Sequence, residues 1–338
     1  MVERKKINWL LILQGWAMLW VVIGHSPLDL KTMPGYANGL YHFAYSFHMP
    51  LFMLVSGFLF YLTRLNDGRP GGGINWSYYR IFKDKALRLL LPGFVFSFLA
   101  FVLKTIFSGE MERQTTFSLR EIIHSFLFPG DNPFAELWFI ATLFWLMMLA
   151  PLWKLLINGS CFLKWGMAAV LAVLHFWYPH VELLCIGKVF SYAIWFYMGL
   201  LISEEGIVER FLIRNSWTTL AIGIVIYGIS YVDYIPLGTF IATVGGINVS
   251  LGLALVLDKY LPKAFFTFRN YTYQIFLMGI FAQIAVKIAY RHINIPYIGA
   301  YMLCILAGLY VPVVVSKFME RINWKPLLMC VGLKPVKK

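Results

Sequence analysis

Of the 338 residues, 60% are apolar and only 13% charged, with a mean hydropathy of +0.70. Ordinary globular chains carry roughly a quarter charged residues, so this composition excludes a soluble domain, a disordered chain, a disulfide-stapled module and a coiled coil. The formal charge of +13 does not point to nucleic acid, because the basic residues fall between hydrophobic segments and not on one compact face.

A membrane span needs about 20 apolar residues at ~1.5 Å each. The hydrophobic pattern predicts ten, at about 7–27, 40–62, 89–107, 134–156, 163–179, 184–203, 216–232, 236–257, 271–290 and 297–319. The expected fold is therefore all-α, a polytopic integral membrane protein forming one domain over 1–338, with a short basic tail at 320–338. Turn-forming stretches such as "SPLDLKTMPGYANG", "RLNDGRPGGG", "FPGDNP" and "DYIP" separate the segments. The first segment is followed by polar sequence without a small-residue cleavage site, so it reads as a retained span and not a signal peptide. No internal repeat is visible. With a cytoplasmic N-terminus, 22 of the 29 Lys and Arg lie at cytoplasmic ends and loops. Seven remain outside: Lys31, Lys104, Arg113, Arg120, Lys188, Lys287 and Arg291. Basic residues favour the cytoplasmic side, which predicts that both termini are cytoplasmic. The cysteines Cys161, Cys185, Cys304 and Cys330 show no CxxC pair and no metal-ligand spacing with histidine. They read as small core residues, and no metal is expected.

In that topology all seven histidines fall in outer halves of spans or outer loops. Histidine titrates nearest neutral pH and is the usual proton carrier. His175, His180 and His292 read as interfacial residues and His124 as solvated; His25, His42 and His48 carry more interest. Gln14 and His25 are eleven residues apart, about three helical turns, and share a face. Asp29 would lie one turn further, unless Pro27 breaks the register. On the second segment Tyr41, Tyr45, His48, Phe52 and Ser56 form one stripe. A polar stripe on an apolar helix faces a bundle interior or a wet cavity, where it serves either function or a structural hydrogen bond between helices.

"LILQGWAMLWVVIGHS" followed by "FHMPLFMLVSGFLF" resembles the opening of the acyltransferase-3 family of polytopic membrane acyltransferases. "KALRLLLP", "ELWFIATLFWLMMLAP" and "NYTYQIFLMGIF" continue the likeness over essentially the whole chain, closest to the fucose 4-O-acetylase-like branch. Three positions depart from the pattern. Gln14 stands where family members usually carry arginine, Gly279 where many carry histidine, and Lys85 with Arg88 where two arginines are common. Lysine keeps the charge but loses the bidentate fork.

The resemblance implies transfer of an acyl group, usually acetyl, from cytoplasmic acyl-CoA to a hydroxyl of a cell-envelope polysaccharide or other glycan, in a bacterial inner membrane. Arg64, Arg69, Arg80, Lys83, Lys85 and Arg88 form a basic loop against only Asp67 and Asp84. This loop either holds coenzyme A phosphates or merely orients the chain and touches anionic lipid. Cofactor binding is expected from Lys85, Arg88, Arg80 and Gln14. "GRPGGG" precedes no strand and lacks a Gly-Lys-Ser ending, so it reads as a connector. Attack of a hydroxyl on a thioester needs a base and a donor for the developing oxyanion. His25, at the family's histidine position, is the expected base, with Asp29 or Glu136 orienting its imidazole. Glu136 could equally pair with Lys188 or Lys104. His48, Tyr45 and Trp138 are expected to line the substrate path, and the pantetheine arm to thread between helices from the basic mouth towards His25. Two rivals remain at this point: a transporter or channel relaying protons through the histidines and carboxylates, and an assembly protein that has lost the chemistry.

Overall fold

The computed structural model describes residues 7–66, 77–106, 118–231 and 237–334. The described residues are helical, without strands. In chain order the α-helices are α1 (Asn8–Gly24), α2 (Gly35–Phe60), α3 (Tyr78–Lys85), α4 (Leu91–Ile106), α5 (Leu119–Leu127), α6 (Leu137–Met148), α7 (Ala150–Ile157), α8 (Cys161–Phe176), α9 (Ile186–Glu204), α10 (Ser216–Ile229), α11 (Gly238–Tyr260), α12 (Thr272–His292), α13 (Tyr297–Ile322) and α14 (Lys325–Cys330). Each of the ten predicted apolar segments falls on a helix or a bent helix pair. Six helical stretches are long and apolar enough to cross a membrane, or seven if the bent pair α6–α7 is one span. α1, α8 and α10 are shorter apolar helices.

Several boundaries differ from expectation for readable reasons. α1 stops at Gly24, three residues early, where Ser26 Oγ donates to Val22 O (2.7 Å) and Pro27 follows. The third segment starts at Tyr78 and runs to Ile106 through a π-turn at Ala86–Leu90. The fourth is not straight: α6 and α7 meet at 54° beside Pro151, since proline cannot donate to the preceding turn. Trp153 Nε1 there donates to Leu146 O at 2.6 Å. α5 and α14, short helices outside the apolar segments, were not expected.

The chain packs as two compact units. The first holds residues 1–55 and 206–318, the second 56–205 and 319–338. In the first unit, α10 and α11 form a tightly apposed pair. A Cβ on Gly245 would lie 2.5 Å from Tyr227 N, and one on Gly252 2.5 Å from Leu220 N, so these helices approach at backbone distance as small-residue membrane interfaces do. Trp16 Nε1 of α1 donates to Ser250 Oγ of α11 at 3.0 Å. Near the start of α1, buried Arg269 donates to Pro262 O, Ala264 O and Asn8 Oδ1, each at 2.9 Å, while Asn8 also donates to Asp258. Pro50 inside α2 leaves Ser46 O without its helical N–H partner, and Thr243 Oγ1 of α11 reaches it at 2.6 Å, its one hydroxyl proton shared with Thr239 O at 2.9 Å.

In the second unit, α9 packs against α6, α7 and α8 around Trp153, Phe196 and Tyr197, all buried. Lys164 of α8 bridges Glu204 at 2.8 Å and Glu205 at 3.6 Å. Outward faces of α8, α10 and α13 carry large apolar side chains such as Phe162, Val225 and Val314. A face meeting hydrocarbon has no reason to be polar.

Candidate functional site

His25 follows the last residue of α1 directly, half-buried, with its N–H bonded to Val21 O at 3.1 Å. Its ring meets Tyr45 edge-on at 5.9 Å between centroids, and Tyr45 meets His48 at 5.0 Å. Tyr41 packs on Tyr45 with the rings tilted and 4.4 Å between centroids. The structure thus brings together His25, Tyr41, Tyr45 and His48, one residue from α1 and a stripe from α2. Tyr45 remains 43% exposed and His48 only 2%, so the cluster runs from an open edge into the interior.

His48 has a defined tautomer. Its Nδ1 is hydrogen-bonded to Ala44 O one turn back. A carbonyl can only accept, so Nδ1 carries the proton and Nε2 keeps its lone pair. In a neutral His48 ring, Nε2 is therefore the nitrogen left to accept a proton.

The end of α1 is held by Gln283 of α12, a residue that spacing did not single out. Its Nε2 donates to Val22 O at 2.8 Å and to Ser26 Oγ at 2.9 Å, and the side chain is 1% exposed. Fixing Val22 and Ser26 fixes His25 between them. The signal available in sequence was an amide in an apolar segment, which has to find partners inside the bundle.

Asp29 does not extend the face of Gln14 and His25, because α1 has ended. Asp29 is exposed, and its carboxylate accepts from Lys31 N (2.8 Å) and Thr32 Oγ1 (2.9 Å). The Lys31 N–H, with the Thr32 hydroxyl, holds this carboxyl below the usual aspartate range. Gln14 is half-buried on α1, about 16 Å of helical rise from His25. At Gly279 a Cβ would stand 2.9 Å from Gly308 O, the carbonyl that Pro312 in α13 deprives of its helical partner. This backbone therefore has no room for the family's histidine at that position.

In the second unit, Arg80 and Arg88 are exposed on α3 and the following π-turn, and Lys85 is half-buried with its ammonium 5.5 Å from the Phe60 ring. Arg64 pairs with Asp84 at 2.6 Å, and Asp84 also feels Arg88 and Arg80. One carboxylate thus serves three guanidinium groups, leaving a net basic cluster. Arg69, Asp67 and "GRPGGG" lie outside the described residues. Glu136 sits at the start of α6, 7% exposed. Trp138, two residues on, packs on Tyr192 at 5.5 Å and carries the Lys188 ammonium 5.0 Å above its ring. Lys188 thus has an aromatic face as one of its contacts.

Of the other histidines, His175 is structural, bonded through Nδ1 to Ser191 O at 2.6 Å. His124 stacks on Phe128 at 4.6 Å and is exposed, as are His42, His180 and His292.

The family model for the acyltransferase domain of the acyltransferase-3 family matches residues 7–317, nearly the whole chain. No curated protein and no solved structure matches the chain. The chain belongs to the acyltransferase-3 family and is a multi-pass membrane acyltransferase.

Proposed function

Starting from that membership, we propose that the protein transfers an acyl group, most simply acetyl, from cytoplasmic acyl-CoA to a hydroxyl of a cell-envelope glycan at a bacterial inner membrane. Ten spans with both termini cytoplasmic complete the reading. The observation that carries it is the histidine cluster. His25, at the family's histidine position, stands at a helix end fixed by Gln283, beside the open edge at Tyr45.

In the proposed step, an imidazole nitrogen of His25 takes the proton of the acceptor hydroxyl as its oxygen attacks the thioester carbonyl. The tetrahedral oxyanion collapses to the ester, the carbon–sulfur bond breaks, and the proton passes to the departing thiolate, giving free coenzyme A. His48, with Nε2 unprotonated, carries the second basic nitrogen of the cluster. The exposed guanidinium groups of Arg80 and Arg88, with Lys85, hold donor phosphates. Gln14 lies along α1 as a hydrogen-bonding, uncharged replacement for arginine. Glu136 is the buried carboxylate, and Trp138 beside it a substrate-lining group.

Mass spectrometry of surface glycan from otherwise identical cells with and without the gene tests this. An acyl mass increment present only with the gene supports it. Identical glycans, together with proton flux into vesicles containing the purified chain, would replace it by the transporter reading.

A further inference from the structure

We infer that the cavity of about 290 Å³ between residues 128–131 and 178–188 of the second unit binds a neutral sugar ring. The inference deepens the acyltransferase reading by naming where and how the acceptor is recognised, and depends on it for the purpose of that recognition.

Size comes first. Small-molecule pockets run from about 300 Å³ upward, so this one holds a single ring and has no room for a nucleotide cofactor. Charge comes second. Asp131 and Glu182 line the cavity with exposed carboxylates, and neither is ion-paired among the described residues. The one strong cation in the lining, Lys188, has its ammonium over the Trp138 ring. Two carboxylates against one lysine repel phosphate and carboxylate ligands but accept strongly from hydroxyl donors, since hydrogen bonds to an ionised acceptor are the short, strong kind. Shape comes third. Phe128 and Tyr178 also line the cavity; one face of Phe128 is stacked on His124 and Tyr178 meets His180 edge-on, and an aromatic face left open suits the C–H face of a sugar.

The floor is built into the fold. Leu184 and Cys185 both hold left-handed backbone, with φ 51° and 59°, a conformation that bulky side chains rarely adopt. Trp145 Nε1 pins it by donating to Leu184 O at 3.1 Å, and Gly187 N closes the loop on Val181 O at 2.8 Å. Backbone kept in such a state by surrounding bonds is a mark of binding sites.

The test uses the full chain in lipid nanodiscs, as the parent and as Asp131→Asn/Glu182→Gln. Saturation-transfer NMR is recorded with a panel of neutral methyl hexopyranosides and with hexose 1-phosphates. At least one neutral hexoside should bind saturably and weaken roughly tenfold or more in the double variant, the loss expected for hydrogen bonds to charged groups. The phosphates should not bind. Absence of binding across the neutral panel, equal binding by the variant, or preference for a phosphate would each overturn the inference. Acyl-CoA binding is measured on the same samples. Hexoside binding without acyl-CoA binding would support the cavity and contradict the proposed function; acyl-CoA binding with no hexoside binding would do the reverse.

Discussion

Around His25 in the first unit, polar groups are committed to fixed partners: Gln283 to Val22 and Ser26, His48 to Ala44, Thr243 to Ser46. Around α3 in the second unit, Arg80 and Arg88 are exposed, and among the described residues there only Arg64 has a close ion pair. The difference follows from what each region is proposed to do. A buried group that moves a proton needs its tautomer and position set beforehand, because an unsatisfied polar atom in the interior is costly and an ill-placed base is slow. A surface that captures a diffusing polyanion needs its charges unspent, and solvent is where they cost least.

Substitutions can break this contrast, and the largest effect belongs to the histidines. His25→Ala should lower turnover by ~10²–10⁴-fold, the usual contribution of a general base, while acyl-CoA affinity stays near that of the parent. His48→Ala should cost less. If steady-state assays show His48→Ala to be the more damaging change, the base has been assigned to the wrong ring.

Arg88→Ala comes next. Losing one charge-assisted hydrogen bond to a phosphate should weaken acyl-CoA binding roughly ten- to a hundredfold, read by calorimetry, with protein abundance unchanged. Unaltered affinity would leave the basic segment as an orientation signal alone.

Smaller changes sharpen the structural half. Thr243→Val should remove about 1–3 kcal/mol of stability by stranding Ser46 O, seen as a lower midpoint in detergent-solubilised thermal unfolding. An unchanged midpoint would mean that Pro50 does not leave that carbonyl dependent on α11. Asp29→Asn should have the least effect on turnover, because the carboxylate is spent on its own turn. Its contribution to stability is sign-definite. A folded-state pKa below the unfolded value gives stability that is present at neutral pH and lost as pH falls through the lowered value. The parent and Asp29→Asn stabilities should therefore converge in acid.

Much of this was legible in the sequence, for physical reasons. Hydrocarbon imposes a composition on apolar segments, so their helices could be placed before any was seen, although six or seven of the ten segments, not all, are long and apolar enough to cross a membrane. The family motifs carried over the same span of chain. What escaped was contingent on neighbours. Pro151 bends the fourth segment, yet Pro50 and Pro312 sit inside continuous helices, where Thr243 covers the first vacancy and Gly279 packs closely at the second. Proline alone does not announce which outcome follows. The pairing of His25 with the Tyr45–His48 stripe was suggested by residue type, whereas Gln283 was one of two amides, with Gln274, in an apolar segment, and nothing in the spacing set it apart. Asp29 would have shared the face of His25 only if α1 continued, and the helix ends at Gly24 before Pro27, the break of register that the sequence offered as the alternative.

The measurement closest to the central claim is acyl transfer by purified parent and His25→Ala proteins in nanodiscs, supplied with radiolabelled acetyl-CoA and an extracted envelope glycan. The account predicts labelled glycan and stoichiometric free coenzyme A with the parent, and loss of both with His25→Ala although acetyl-CoA still binds. Undiminished labelling by a correctly inserted His25→Ala protein would contradict it.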